Sequence, residues 1–152
     1  MEPFHEDPAL DPTRWSPPGE RILLVDEDTN DLKYFAALLE RMDYSVWAFS
    51  NHRDAERCLA DGCFDLVIVS QSDSGIETRR LVEFTLARGR HTPVVVLGRC
   101  LDVNSYLQAM QFGASDYLDK PLTPTEFERV VLTHCQPRQR GTSANSSARS
   151  DA

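Results

Sequence analysis

Apolar residues recur along this chain in two alternating rhythms. Arg21 to Asp26 (RILLVD) is a short apolar run of the kind that forms a strand buried on both faces. Behind it, Leu32, Phe35, Ala36, Leu39 and Met42 fall at helical spacing, and Asp28, Thr29 or Asn30 can cap that helix. The couplet then repeats. Ser45 to Phe49 (SVWAF) predicts a second strand at a sheet edge. The helix after it is capped by Asn51, turns Ala55, Cys58 and Leu59 to one face and stops at Gly62. Asp65 to Ser70 (DLVIVS) predicts the third strand. Glu77 to Arg88 is a more weakly amphipathic helix with Leu81 and Phe84 inward, ending at Gly89. Pro93 to Leu97 (PVVVL) is the fourth strand, and Val103 to Phe112 a helix with Leu107 and Met110 inward, closed by Gly113. Asp116 to Leu118 is a short fifth strand. The last helix is the best signalled: Thr123 and Glu126 spell a capping box, Pro124 stands at its first position, and Leu122 can staple onto Phe127.

Strands separated by helices of this length require right-handed crossovers. The expected fold is therefore α/β, a doubly wound five-stranded parallel sheet with flanking helices over residues 21–135. In such sheets the working residues stand at the C-terminal ends of the strands. The flanks read differently. Residues 1–20 hold Pro3, Pro8, Pro12, Pro17 and Pro18 with little apolar pattern, a disordered Pro-rich arm that Trp15 could anchor. Residues 136–152 (QPRQRGTSANSSARSDA) form a Ser/Arg-rich tail that cannot bury a core.

Composition narrows the function classes. The 152 residues suit one domain, and 41% hydrophobic residues can supply its core. With 24 acidic against 16 basic residues the net charge is -8, which disfavours nucleic acid and anionic lipid as partners. The longest apolar runs are about five residues, far short of the roughly 20 that a membrane span needs. The acidic start MEPFHEDPAL lacks the basic and apolar regions of a secretory signal, so the expected location is cytoplasmic. Cys58, Cys63, Cys100 and Cys135 have no metal-site spacing and read as reduced thiols. His5, His52, His91 and His134 are scattered. They are expected at the surface or its boundary and support no metal site.

Two strand ends carry candidate chemistry. After the first strand come Asp26, Glu27 and Asp28, carboxylates that repel one another unless a counter-charge is present. A magnesium ion held by one or two carboxylates and water meets that need. A helix N-terminus also favours acids and explains Asp28 and Asp31, while Asp26 and Glu27 stay divided between the two readings. The same acidity argues against a phosphate cradle of free amides. After the fifth strand, Asp119-Lys120-Pro121 makes a rigid turn able to hold an ammonium over the same sheet end, with a cis bond before Pro121 possible. A plain surface lysine is the alternative.

In order and spacing, RILLVDEDTND, FDLVIVS, TPVVVLG and GASDYLDKPL resemble the receiver domain of two-component response regulators, with its chemotaxis-regulator-like, flavodoxin-like topology. The resemblance implies that Asp26 and Glu27 fall on the magnesium-binding acidic pair and Lys120 on the lysine that contacts the phosphoryl group. Tyr117 falls on the aromatic that changes rotamer when the domain switches. Two positions depart from it. Ser70 stands where the family has its phosphoacceptor Asp, and SQSDSG replaces the usual continuation. Gly98, followed by Arg99, stands where a Thr or Ser closes the fourth strand.

The chemistry of those departures sets the functional expectation. A carboxylate is an ionised nucleophile at neutral pH, whereas a serine hydroxyl needs a base, and no neighbouring histidine is apparent in the sequence. Magnesium loses a carboxylate, leaving a weak or vestigial site and no cofactor. Gly98 has no hydroxyl to offer a phosphoryl oxygen. The expectation is a stand-alone receiver-like module in phosphorelay signalling, not an enzyme, not phosphorylated on Asp, with Lys120 paired directly to Asp26 or Glu27. It would act by protein binding through the face of the fourth helix, fifth strand and fifth helix, including Tyr106 and Tyr117. Its partner would be a histidine kinase, phosphotransfer or effector protein, and it would be a monomer or weak homodimer. No output domain is expected in residues 136–152. The alternatives are a displaced acceptor, Asp73 or Asp28, working with magnesium; phosphorylation of Ser70 by a separate kinase; and a small flavodoxin-fold enzyme or carrier.

Overall fold

The computed structural model describes residues 20–88, 91–99 and 103–135. The expected N-terminal arm with Trp15, the C-terminal tail and the helix stop at Gly89 lie outside the described residues. Five strands and five helices alternate: β1 (Arg21–Val25), α1 (Thr29–Arg41), β2 (Ser45–Phe49), α2 (His52–Asp61) and β3 (Leu66–Ser70), then α3 (Ile76–Ala87), β4 (Val94–Gly98), α4 (Val103–Gln111), β5 (Asp116–Asp119) and α5 (Pro124–His134). The strands form one parallel sheet in the order β2-β1-β3-β4-β5.

The two-residue period of a strand explains how one apolar run serves two layers. Ile22 and Leu24 of β1 pack with Leu32, Phe35 and Phe127 under α1 and α5. Leu23 and Val25 pack on the opposite face with Trp47, Ala55 and Leu81. A strand sandwiched this way must be apolar at every position, and β1, β3 and β4 are buried throughout.

Local signals hold where the backbone alone decides. Asp28 caps α1, accepting from the amides of Asn30 (3.0 Å) and Asp31 (3.1 Å). Asn51 caps α2 by accepting from the Asp54 amide at 2.8 Å. The capping box is complete, with Thr123 and Glu126 exchanging side-chain-to-backbone hydrogen bonds of 3.0 and 3.1 Å. Leu122 packs on the cluster that contains Phe127. The inward face of α4 is a correction. Leu107 is 49% exposed and Ala109 is the helix's buried residue, with Met110 only partly covered. Phe84 of α3 is likewise only partly buried.

Parallel register brings the working ends together. Val25 lies beside Val69 and Phe49, Ser70 beside Leu97, and Gly98 beside Asp119. Asp26, Ser70, Gly98 and Lys120 are thereby set on one edge.

Candidate functional site

Asp26 follows β1 and extends its ladder, its amide donating to the Phe49 carbonyl at 3.0 Å. That placement buries its side chain completely. One carboxylate oxygen accepts from the Asp28 amide at 2.9 Å and the other from the Lys120 ammonium at 2.7 Å. Lys120 arrives from the far side of the sheet. Its amide continues β5 by donating to the Gly98 carbonyl at 2.8 Å, and the bond to Pro121 is cis. The ammonium also reaches Asp31 at 2.8 Å. Of the two partners expected for Lys120, Asp26 is the one it meets; one sequence reading needs correcting, because Asp31 joins the pair and is more than an acid in a helix's first turn.

Ser70 closes β3 and is 2% exposed. Its hydroxyl is buried and makes no hydrogen bond within the protein. Its carbonyl is engaged instead, by the Thr78 hydroxyl at 3.3 Å and by Nε2 of His52 at 3.2 Å. The loop that follows is pinned: the Ser72 amide donates to Thr78 at 2.8 Å, and the Gly75 amide to the Ser72 hydroxyl at 3.1 Å. Gly75 has a φ of 78°, a left-handed conformation that suits glycine. Asp73 does not join the cluster. Its side chain is 96% exposed and lies 3.9 Å from the Arg99 guanidinium. Asp28 is spent on capping α1.

His52 is the residue the sequence reading missed. Expected near the surface, it is only 5% exposed, because the first turn of α2 carries it beneath the β1 and β3 ends. Its Nδ1 faces Glu27 at 3.5 Å and Glu77 at 3.9 Å. The usable signal was topological. In a parallel sheet every strand-to-helix turn opens on the same edge, so a histidine just after the Asn51 cap belongs with the strand ends.

At the end of β4, Gly98 leaves space that Tyr117 fills. A Cβ built at Gly98 would overlap the Tyr117 hydroxyl and ring tip. The phenol lies inward, 7% exposed, and donates to Gln71 Oε1 at 3.2 Å, next to the acceptor position. Tyr106 of α4 packs edge-on against it at 6.1 Å and is itself 43% exposed. Tyr117 is thus an internal support for the expected interaction face, not a member of its exposed surface.

For a magnesium ion the donors around Ser70 are a poor match. Both Asp26 oxygens already accept hydrogen bonds, from Lys120 and from the Asp28 amide, and a serine hydroxyl is neutral. A second potential ligand group stands beside it: Glu27, His52 and Glu77 each offer one atom, all within 4.8 Å of one another. Among the described residues no helix is long and apolar enough to cross a membrane.

Residues 22–132 match the family model of the response regulator receiver domain. Over 122 residues the chain is 32% identical to the alginate biosynthesis transcriptional regulatory protein AlgB of Pseudomonas aeruginosa, covering 78% of this chain and 26% of AlgB. Over 114 residues it is 27% identical to the transcriptional regulatory protein PcoR of Escherichia coli, covering 75% of this chain and 50% of PcoR. Against the sensor histidine kinase GacS of Pseudomonas protegens it is 30% identical over 117 residues, 74% of this chain and 13% of the kinase. The chain therefore spans half or less of each of these relatives. A crystal structure of a response regulator receiver domain protein from Clostridium thermocellum superposes with a TM-score of 0.70 at 23% identity, covering 76% of this chain and 94% of that one. With its five-stranded parallel sheet and the match to the family model over residues 22–132, this chain belongs to the response regulator receiver domain family of two-component signalling.

Proposed function

We propose that this receiver domain signals without aspartyl phosphorylation, as a protein-binding module held in one conformation. The observation that carries this reading is the buried, neutral Ser70 at the acceptor position, beside a Lys120 already committed to Asp26 and Asp31. An ammonium bound to two carboxylates needs neither metal nor phosphate to be neutralised, and magnesium binds weakly at best. Tyr117 supports the same reading from the other side of the site. Where the family has a hydroxyl side chain, Gly98 leaves the inward position open to the phenol, and Gln71 latches it there.

The output face is α4, β5 and α5. On α4, Val103, Tyr106 and Leu107 share one exposed stripe at helical spacing, 71%, 43% and 49% accessible. Exposed apolar residues so grouped favour a protein partner. Relatives carry this domain within a sensor histidine kinase and within transcriptional regulators, so a kinase, phosphotransfer or effector protein is the partner class.

Gly98→Thr tests the held state. The obstructing atoms are the tip of a rotatable side chain, so the domain stays folded and Tyr117 swings to solvent. The expected cost is about 1–2 kcal/mol, at the lower end for an overpacked core position. In the ring NMR spectrum Tyr117 becomes solvent-exposed, and adding Tyr117→Ala to Gly98→Thr costs less than Tyr117→Ala does in the native chain. An unmoved ring with unchanged stability contradicts the reading.

A further inference from the structure

We propose that Glu27, His52 and Glu77 form a binding site for a divalent transition ion of the zinc class, beside and distinct from the Lys120 cluster. The surroundings of His52 set its tautomer. The Ser70 carbonyl, 3.2 Å from Nε2 of His52, can only accept a hydrogen bond, so Nε2 carries the ring proton. In the neutral ring Nδ1 is then a bare lone pair. It is buried and makes no hydrogen bond within the protein. It faces one carboxylate oxygen of Glu27 at 3.5 Å and one of Glu77 at 3.9 Å, groups that also only accept. With the ring neutral, three acceptors converge with no donor between them, and a cation, whether a metal ion or a second ring proton, is what relieves that arrangement.

The donor set selects the ion. Magnesium and calcium take oxygen ligands, whereas an imidazole nitrogen with carboxylates suits zinc and its neighbours. Three protein ligands plus water give four-coordination. Bonds of about 2.0–2.1 Å place tetrahedral ligands about 3.3 Å apart, so the separations here close with small side-chain movements. Those movements are open to Glu27 and Glu77, whose side chains are 40% and 61% exposed, while buried His52 stays fixed. The support behind the ring is also that of a metal ligand, a backbone carbonyl holding the far N–H. That carbonyl belongs to Ser70, so the altered acceptor position orients the new site. A cleft of roughly 400 Å³ between α2 and α3 reaches His52 and Glu77 from solvent; three arginines line it, of which Arg57 and Arg80 lie beside Asp54 and Glu56, and Arg53 is the third.

Calorimetric titration of zinc into the full chain, stripped with chelator, tests the site. The expected result is one saturable equivalent, weakened at least about tenfold by His52→Gln and by Glu77→Gln. Glu83→Gln, elsewhere on α3, leaves it unchanged. Cobalt in place of zinc should give visible bands of a four-coordinate site without thiolate charge transfer. Should His52→Gln fail to fold, the exposed Glu77 carries the test alone. Absence of a saturable equivalent, affinity that survives Glu77→Gln, or a thiolate signature pointing to cysteine ligands would overturn the assignment, leaving a proton on Nδ1 as the cation.

Discussion

Replacing Lys120 with methionine lowers the unfolding free energy by about 3–5 kcal/mol, the range for removing one partner of a buried ion pair. The loss arises at Asp26. Its carboxylate is wholly buried, and without the ammonium at 2.7 Å only the Asp28 amide remains to compensate it. Asp31 contributes little of this, being 37% exposed and able to turn to water. Methionine keeps the length and apolar stem of lysine, so packing loss is small. The measurement is the urea midpoint at unchanged slope. The double variant Asp26→Asn with Lys120→Met should recover most of the loss, because the uncompensated charge is then gone. A midpoint unmoved by Lys120→Met would mean that the pair is not formed in solution.

Ser70→Asp is expected to have the larger functional effect, giving covalent labelling by acetyl phosphate in magnesium where the native chain is expected to give none. A carboxylate at the end of β3 is an ionised nucleophile that needs no general base. It stands next in register to Asp26, since Val25 and Val69 are strand partners. Two buried carboxylates sharing one ammonium repel each other, so without divalent ion the variant is less stable than the parent by about 1–3 kcal/mol. Millimolar magnesium should restore much of that stability and enable the labelling. Labelling by intact mass and melting with and without magnesium check both halves. The original Gly98 still lacks a hydroxyl, so labelling need not move Tyr117. Adding Gly98→Thr restores the hydroxyl and also evicts the phenol from its present seat.

The strands and the caps of this fold are legible in the sequence because each is decided by near neighbours. Ile22 to Val25 is a short apolar run bounded by polar residues and forms a buried strand, and Thr123 with Glu126 close their box within one turn. Ser70 and Gly98 are legible too, as residues whose chemistry does not fit the positions they hold. What spacing could not reveal is convergence. Lys120 meets Asp31 across 89 positions of chain and His52 meets the Ser70 carbonyl across 18, and neither pairing leaves a periodic trace. Leu107 shows the opposite failure. Its helical spacing is genuine, but α4 rests on the sheet through Ala109 and turns that apolar stripe outward. The inward seat of Tyr117 depends on a rotamer and on the absent Cβ of Gly98, a meeting between neighbouring strands that residue spacing does not carry.

The central claim is that the native site does not take phosphate on aspartate. Intact-mass analysis of the native chain, incubated with acetyl phosphate and millimolar magnesium beside its Ser70→Asp variant, tests it most directly. The account predicts phosphoryl mass on the variant and none on the native chain. Acid-labile phosphate on the native chain, mapped to Asp73, Asp28 or any other aspartate, would contradict it.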